Sequence, residues 1–348
     1  MIDPSRKPVI IYRLGSLGDT IFALPCFHAI RRAFPDRRIV LLTNMPVSGK
    51  AAPLMAVLGD DGQFADDVIE YPVSLRAPRE ALVLAQRLRA HNAEALVYLM
   101  PQRSRAQAWR DWTFLRFAAG IKRILCFPDS DDLRSVRVNP DTGVREREAA
   151  RLIRTCAQLG PIDIADRANW DLRYTQTEQA QAAAISAPLG TAPFVAVNMG
   201  GKAEEKDWGM ANWRALGAAL QAAYPHIGLM VVGAGEDHAR GEAFKADWRA
   251  PAVNACGALT ARASGAALSR AALFIGHDSG PLHLAACSNT PSIGIFGNFN
   301  APKQWHPVGA HVRVIHEMRG LAHITPQDVM ENIHVLLDGR DIGAGGQE

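Results

Sequence analysis

Residues 275–286 have the sequence Ile275-Gly276-His277-Asp278-Ser279-Gly280-Pro281-Leu282-His283-Leu284-Ala285-Ala286, in which an apolar run passes through a polar turn into a second apolar stretch. The first run is typical of a buried strand, and Pro281 is favoured at the first position of a helix. Amides at the beginning of a helix have no carbonyl partner within it, so they form a ready site for phosphate oxygens. The stretch therefore predicts a strand, an anion-binding turn of Asp278, Ser279 and Gly280, and a helix.

His283 lies about one helical turn beyond this predicted site. Its side chain could reach a ligand bound at the turn, where Ser279 would add a hydroxyl group. A single histidine on an apolar helix is more often a core residue whose hydrogen bonds are satisfied. Both interpretations of His283 stay open on the sequence alone.

The same order of a short apolar run, a turn and an amphipathic stretch recurs along the chain, which predicts α/β units with parallel strands. The strands predicted in the first half are Val9–Tyr12, Ile39–Thr43, Asp67–Tyr71, Ala95–Met100 and Ile121–Phe127, with helices at Ile21–Phe34, Arg79–Arg89, Ala106–Ala118 and Arg145–Leu159. The strands predicted in the second half are Phe194–Asn198, Gly228–Val232, Val253–Ala255, Phe274–His277, Ser292–Phe296 and Val312–Ile315. Helices are predicted there at Ala211–Ala223, Asp237–Trp248, Thr260–Arg270 and Pro281–Cys287, and from Thr325-Pro326 onward.

The size and composition of the chain favour two globular domains. It has 348 residues, of which 48% are hydrophobic and 21% charged. A segment with two prolines and a glycine at 188–193 indicates a linker. We therefore predict Rossmann-like domains at 1–180 and 190–340, facing each other across a cleft. Because ligands of open α/β sheets bind outside the carboxyl ends of the strands, the chemistry is expected at those ends.

Several classes of protein are disfavoured by the composition. The net charge of +3 is too small to indicate a nucleic-acid-binding protein. No apolar run approaches the roughly 20 residues that span a bilayer, and the polar N-terminus predicts no signal peptide. The five cysteines are odd in number and form no CxxC pair, so we expect buried thiols in a reducing cytoplasm.

The segment 103–154 is rich in arginine. It could be an ordinary solvated surface, or a patch that faces an anionic acceptor or a membrane surface. The cations of this segment are Arg103, Arg105, Arg110, Arg116, Lys122, Arg123, Arg134, Arg137, Arg145, Arg147, Arg151 and Arg154.

The turn after the first predicted strand is Arg13-Leu14-Gly15-Ser16-Leu17-Gly18-Asp19-Thr20. Its two glycines, of which Gly18 directly precedes the acid, would let the backbone turn tightly near a ligand. Asp19 could simply cap a helix, or it could take a proton from an acceptor hydroxyl. If the helix begins only at Pro25, Asp19 lies in a loop and the capping interpretation weakens.

A second glycine-containing turn follows the strand predicted at Phe194–Asn198. Gly200 and Gly201 would again permit a close approach of the backbone to a ligand. Lys202 and Lys206 are two candidates for a compact positive charge on a phosphate, with a solvated surface lysine as the alternative for each.

A third turn, after Gly228–Val232, contains Gly233 and Glu236. The carboxylate of Glu236 could accept hydrogen bonds from a ribose diol, or it could be a first-turn acid stabilised by the helix dipole. Together with the turn at 278–280, these residues place glycines, a lysine, an acid and free amides at successive strand ends. Such a combination predicts a nucleotide-diphosphate site.

The opening segment Ile11-Tyr12-Arg13-Leu14-Gly15-Ser16-Leu17-Gly18-Asp19, with Leu24-Pro25, resembles the beginning of the ADP-heptose:lipopolysaccharide heptosyltransferases of bacteria, glycosyltransferase family 9. The segments His277-Asp278-Ser279-Gly280-Pro281-Leu282-His283-Leu284-Ala285, Phe296-Gly297 and Trp305-His306-Pro307 show the same resemblance. The resemblance covers most of the chain, in order. It implies a GT-B fold, an inverting reaction and no catalytic metal.

The resemblance also implies roles for individual residues. It makes Asp19 the general base, Lys206 the phosphate lysine and Glu236 the ribose ligand. It makes a diphosphate-binding turn of Asp278, Ser279, Gly280 and His283. One segment departs from the family pattern, because Gly297-Asn298-Phe299-Asn300 stands where Gly-Pro-Thr is more common.

We therefore expect an inverting, metal-independent transferase that moves a sugar to a hydroxyl of a lipopolysaccharide-core or related cell-envelope glycan. The resemblance indicates heptose from ADP-heptose, although other nucleotide diphosphate sugars stay open. The expected partners are this donor, an anionic glycolipid or glycan acceptor and, peripherally, the inner face of the inner membrane. No cofactor and no nucleic-acid partner are expected, and the predicted location is the cytoplasm.

Alternatives of other classes remain at this point. They are a nucleotide-sugar epimerase or hydrolase on the same fold, and a non-catalytic nucleotide-sugar-binding protein. A metal-dependent transferase would use an Asp-x-Asp pair, and Asp129-Ser130-Asp131 has that spacing, although it is also an ordinary polar turn. An NAD-dependent oxidoreductase would need G-x-G-x-x-G, whereas Gly233-Ala234-Gly235 lacks the third glycine.

Overall fold

The computed structural model describes residues 3, 5–45, 52–72, 77–200 and 204–339. The chain divides into two compact units, Met1–Leu172 and Arg173–Glu348. The division precedes the predicted linker because the helix Gln176–Ser186 packs within the second unit, where Glu178 forms an ion pair with Arg262 at 2.5 Å.

The first unit contains a parallel five-stranded sheet in the order β3-β2-β1-β4-β5. Its strands are β1 (Val9–Tyr12), β2 (Ile39–Met45), β3 (Asp67–Pro72), β4 (Ala95–Tyr98) and β5 (Ile124–Leu125). Its helices are α1 (Leu17–Phe22), α2 (Leu24–Ala33), α3 (Leu54–Leu58), α4 (Pro78–Ala90), α5 (Arg105–Thr113), α6 (Asp131–Arg134) and α7 (Glu148–Thr155). A π-helical segment, Phe114–Ala118, continues α5, and short 3₁₀ segments occur at Ala157–Leu159 and Arg167–Trp170.

The second unit contains a parallel six-stranded sheet in the order β11-β10-β9-β6-β7-β8. Its strands are β6 (Phe194–Asn198), β7 (Gly228–Val231), β8 (Ala252–Asn254), β9 (Leu273–His277), β10 (Ser292–Phe296) and β11 (Val312–His316). Its helices are α8 (Gln176–Ser186), α9 (Met210–Ala223), α10 (His238–Lys245), α11 (Ala261–Leu268), α12 (Gly280–Cys287) and α13 (Pro326–Leu337). Its 3₁₀ segments are Ala187–Leu189, Glu204–Lys206, Gly235–Asp237 and Leu321–His323.

The same strand order occurs in both units. In each sheet the second and third strands of the unit lie on one side of its first strand, and the later strands lie on the other side. This is the Rossmann order, and the connection changes direction between β1 and β4 and between β6 and β9. Ligands of such sheets bind beyond the carboxyl ends of the strands at this switch point. The turns after β1, β6 and β9 are therefore the places to search for a site.

The predicted strands are all present and parallel, and the central strands β4, β6, β9 and β10 are buried on both faces as in other parallel sheets. Several boundaries differ from the prediction. The helix predicted at Ile21–Phe34 is two helices that meet at Ala23, since Pro25 has no backbone N–H for an interior helix position. The strand predicted at Ile121–Phe127 shortens to Ile124–Leu125, where it pairs with β4.

All five cysteines are buried thiols, as predicted. No helix in the described part of the chain is both long and apolar enough to cross a bilayer.

Candidate functional site

The turn after β9 lies at the switch point of the second unit. Ser279 is the N-cap residue of α12, with extended backbone, and its Oγ donates a hydrogen bond to Oδ1 of Asn198 at 2.9 Å. Asn198 is the last residue of β6, and its Nδ2 donates to the carbonyl of Val232 at 2.9 Å. These side chains tie together the ends of β6, β7 and β9, and they fix the amides at the beginning of α12 in one place.

Lys206 is brought to the same turn from the loop after β6. Its Nζ donates to Oδ2 of Asp278 at 2.7 Å and lies 4.4 Å from the centre of the Phe299 ring. The structure thus places two of the predicted residues, Lys206 and Asp278, in direct contact. A lysine beside the amide-rich start of a helix is an arrangement that can bind a phosphate group.

Asn300 completes this cluster, although the sequence analysis did not assign it. Its Nδ2 donates to the same Oδ2 of Asp278 at 2.5 Å. Phe299, whose ring covers the lysine, is 55% exposed. Both residues belong to the segment that departs from the family pattern, and that departure was the only signal in the sequence. We call Lys206, Asp278, Phe299 and Asn300 the lysine cluster.

His277 holds the loop that carries Lys206. No role for His277 was predicted from the sequence. Its Nε2 accepts a hydrogen bond from the amide of Trp208 at 3.1 Å, so its proton is on Nδ1. Burial lowers the pKa of His277 to about 4, and the ring stays neutral near pH 7. Trp208 is further fixed by its indole N–H, which donates to the carbonyl of Ile324 at 2.7 Å. A neutral histidine therefore helps to position the loop that carries Lys206.

Two of the predicted glycines lie against the side chain of Asp237, where a larger residue would not fit. A Cβ on Gly200 would lie 2.4 Å from Oδ2 of Asp237, and a Cβ on Gly233 would lie 2.7 Å from the same atom. Asp237 Oδ2 accepts a hydrogen bond from the amide of Ala234 at 2.9 Å. Gly200 and Gly233 therefore make room for Asp237, which stabilises the turn after β7 and was not predicted.

The remaining predicted residues of the second unit differ in position. Glu236 is exposed in the 3₁₀ turn after β7, next to Asp237. His283 is only 5% exposed on α12, which is the position of a core residue. Gly280 is the first residue of α12. Gly201 and Lys202 lie outside the described residues.

Asp19 lies in the first unit, in the first turn of α1. Its Oδ2 accepts hydrogen bonds from the amide and the hydroxyl of Ser16, both at 2.7 Å. The helix begins at Leu17 and not at Pro25, so the capping interpretation holds for this oxygen. The described part of the chain forms no hydrogen bond with the other oxygen, Oδ1.

The backbone around Asp19 is held by a buried arginine. Arg13 is fully buried, and it donates from Nη2 to the carbonyl of Asp19 at 2.6 Å and from Nη1 to the carbonyl of Leu99 at 3.1 Å. Gly15 has φ +145°, and a Cβ there would lie 2.5 Å from Cβ of Asp19. The glycine that the turn requires is therefore Gly15, whereas Gly18 lies within the first turn of α1.

The Asp-x-Asp alternative falls at the beginning of α6. Ser130 caps that helix, accepting from the amide of Leu133 at 3.3 Å, and Asp131 forms an ion pair with Arg134. The segment has the structure of a polar turn and a helix start. Within the described residues, no group of three histidine, cysteine or acidic side chains is arranged to hold a metal ion.

The profile of glycosyltransferase family 9 (heptosyltransferase) matches residues 145–334. The chain belongs to this family. It is a glycosyltransferase, as the sequence predicted, and the match includes the lysine cluster and the whole turn after β9. Asp19 lies before the matched residues. A comparison with curated protein sequences gave no match.

Solved structures similar to this family 9 chain include a family 9 glycosyltransferase from Veillonella parvula. It is 18% identical, with 97% of this chain and 100% of that chain covered and a TM-score of 0.71. The ADP-heptose lps heptosyltransferase II of E. coli is 17% identical over 96% of this chain and 99% of that chain, with a TM-score of 0.68. The E. coli heptosyltransferase WaaC with ADP-2-deoxy-2-fluoro heptose is 16% identical over 94% and 99%, with a TM-score of 0.64. These similarities confirm the predicted GT-B fold.

Proposed function

We propose that this family 9 glycosyltransferase is an inverting, metal-independent enzyme that moves heptose from ADP-heptose to a hydroxyl of a lipopolysaccharide-core or related cell-envelope glycan. The observation that carries the proposal is the lysine cluster at the start of α12, at the switch point of the second sheet. A neighbouring structure that holds ADP-2-deoxy-2-fluoro heptose supports the choice of donor.

The second unit is proposed to bind the donor. The amides at the beginning of α12, its dipole and Lys206 would bind the diphosphate, and Glu236 would bind the ribose. These groups supply positive potential where the leaving diphosphate gains negative charge, so no metal ion or cofactor is needed for that purpose. Such preorganised electrostatic stabilisation is usually the largest catalytic contribution.

Asp19 of the first unit is proposed as the general base. The acceptor oxygen forms a bond to the anomeric carbon while the bond from that carbon to the diphosphate oxygen breaks. The acceptor proton passes to the carboxylate of Asp19, through Oδ1, which carries no hydrogen bond from the described residues. A single displacement of this kind inverts the configuration of the sugar.

We also propose the cytoplasm as the location, with the chain held peripherally at the inner face of the inner membrane. The acceptor of the proposed reaction is an anionic glycolipid or glycan. A transferase that acts on such a molecule gains from a surface that keeps it at the membrane.

The donor can be tested by thermal denaturation of the full chain with AMP, ADP, ADP-heptose, UDP and GDP. A ligand that binds only the folded state raises the melting temperature by mass action. We expect ADP and ADP-heptose to give the largest increases. A larger increase with UDP or GDP would assign another donor, and no increase with any nucleotide would contradict the proposed function.

A second test concerns Asn300. We expect Asn300→Ala to weaken ADP binding roughly tenfold, because a hydrogen bond to a charged group contributes about 1.5 kcal/mol and Asp278 would then bind Lys206 more tightly. Calorimetric titration with ADP measures the change. Asn298→Ala is the control, since Asn298 is an exposed neighbour in the same loop. Equal affinities for the two variants would remove Asn300 from the site.

A further inference from the structure

An unusual row of aromatic rings lies on α5 and the π-helical segment that follows it. The ring centres of Trp109 and Trp112 are 5.4 Å apart, and those of Trp112 and Phe117 are 5.8 Å apart. Phe127 supports the row from below, 5.4 Å from Trp109. Trp109 is nevertheless 41% exposed and Phe117 66% exposed, so the row is open to solvent.

Another exposed apolar side chain lies on α4. This helix packs against the π-helical segment, and Nη2 of Arg89 donates to the carbonyl of Phe117 at 3.2 Å. Leu82, seven residues before Arg89 and so on the same side of the helix, is 58% exposed. We call Trp109, Trp112 and Phe117 the aromatic face. Large exposed apolar side chains grouped in this way mark an interaction surface.

The chain segment that carries the aromatic face has almost only positive charges. Residues 101–127 contain one acid, Asp111, which is buried and bonds the hydroxyl of Tyr98 at 2.9 Å and Arg110 at 2.7 Å. The cations of the same stretch are Arg103, Arg105, Arg110, Arg116, Lys122 and Arg123. The sign of the charge therefore selects an anionic partner.

Two of these cations flank the rings. Arg105, Trp109, Trp112 and Arg116 follow one another at intervals of four, three and four residues, which puts them on one side of a helix. Neither Arg105 nor Arg116 has an ion-pair or hydrogen-bond partner for its side chain in the described part of the chain. Their charges remain available to a bound surface.

We propose that the aromatic face docks on an anionic lipid bilayer, with its rings at the level of the headgroups and Arg105 and Arg116 on lipid phosphates. Helices that lie in a membrane interface are typically rich in arginine together with Trp and Phe, which are the residue types of this segment. A contact between two copies of the chain is disfavoured, because a two-fold axis would bring like charges together.

This inference assigns residues to the peripheral membrane contact proposed above and rests on that part of the proposed function. It is tested by sedimentation of the full chain with vesicles of phosphatidylcholine alone or mixed with phosphatidylglycerol. We expect binding to the mixed vesicles only, and weaker binding at higher salt. Arg105→Gln and Arg116→Gln should each weaken binding about fivefold, and Trp109→Ser with Phe117→Ser should abolish it.

The controls are Met318→Ser, at a side chain that is 50% exposed in the second unit, and Arg270→Gln, at another exposed arginine. Both should bind vesicles like the unchanged chain. The same variants are tested for the increase in melting temperature with ADP, which should not change.

Equal binding to both kinds of vesicle, or unchanged binding by the aromatic and arginine variants, would overturn the inference. So would binding of single-stranded nucleic acid in place of vesicles, or a change of oligomeric state in these variants. If ADP raises the melting temperature but the chain does not bind vesicles, the membrane-docking proposal fails and the donor proposal stands. If the chain binds vesicles but no nucleotide raises its melting temperature, the donor proposal fails and the membrane-docking proposal stands.

Discussion

Replacing Asp19 with asparagine is expected to reduce turnover by roughly 10²–10⁴-fold, the usual contribution of a general base, while ADP affinity changes little. Asparagine cannot take up the acceptor proton, but its carbonyl oxygen can still accept the two hydrogen bonds from Ser16. Helix α1 should therefore keep its cap. The measurement is steady-state release of ADP from ADP-heptose in the presence of a lipopolysaccharide-core acceptor.

The chain contains a matched control for this variant. Asp328 accepts hydrogen bonds from the amide and hydroxyl of Thr325, both at 2.7 Å, at the beginning of α13. Asp328→Asn makes the same chemical change to the same kind of cap. If both variants lose turnover equally, or if neither does, Asp19 is a capping residue and not the base.

Replacing Lys206 with alanine is expected to weaken both donor binding and the chemical step. ADP affinity should fall roughly ten- to a hundredfold, as expected for the loss of a charge-assisted hydrogen bond. The rate with bound donor should fall roughly 10²–10³-fold, since the lysine would stabilise the charge on the leaving diphosphate. Calorimetric titration and steady-state kinetics separate the two effects.

Lys245→Ala is the control for Lys206→Ala. Lys245 forms an ion pair with Glu242 at 2.8 Å in the same unit, remote in sequence from the turn after β9. It should leave both ADP affinity and rate unchanged. An unaltered ADP affinity in Lys206→Ala would assign the phosphate contact to another residue, for which Lys202 is the remaining sequence candidate.

Much of the fold could be predicted from the order of apolar runs and turns. The central strands are predictable because they are buried on both faces and so consist mainly of apolar residues, as in Leu273–His277. The turns were found because glycine, proline and acidic residues follow those runs directly. The ends of helices and strands are harder to predict from the sequence. The break at Ala23 arises because Pro25 lies in the first turn of a new helix, and β5 is short because only Ile124 and Leu125 pair with β4.

The candidate site could be predicted where its residues belong to turns that directly follow a predicted strand, as Lys206 and Asp278 do. Asp278, Ser279 and Gly280 are consecutive, and a strand that leads into a proline-opened helix identifies them. Asn300 contributes to the same site from a turn that is 22 residues away along the chain. His277 acts through the amide of Trp208, a contact that depends on the tertiary fold and has no signature in the sequence.

If the turn after β9 binds a diphosphate as proposed, the ion pair between Lys206 and Asp278 also affects which anions can bind there. Because the ammonium group already has an internal counter-ion, an incoming molecule must displace a carboxylate before it gains the full attraction. A ligand with a single phosphate would compete poorly under that condition, whereas two adjoining phosphates would bring more negative charge to separate the pair. We therefore expect the site to disfavour the abundant small anions of a cell, and the difference between AMP and ADP in thermal denaturation measures that selectivity.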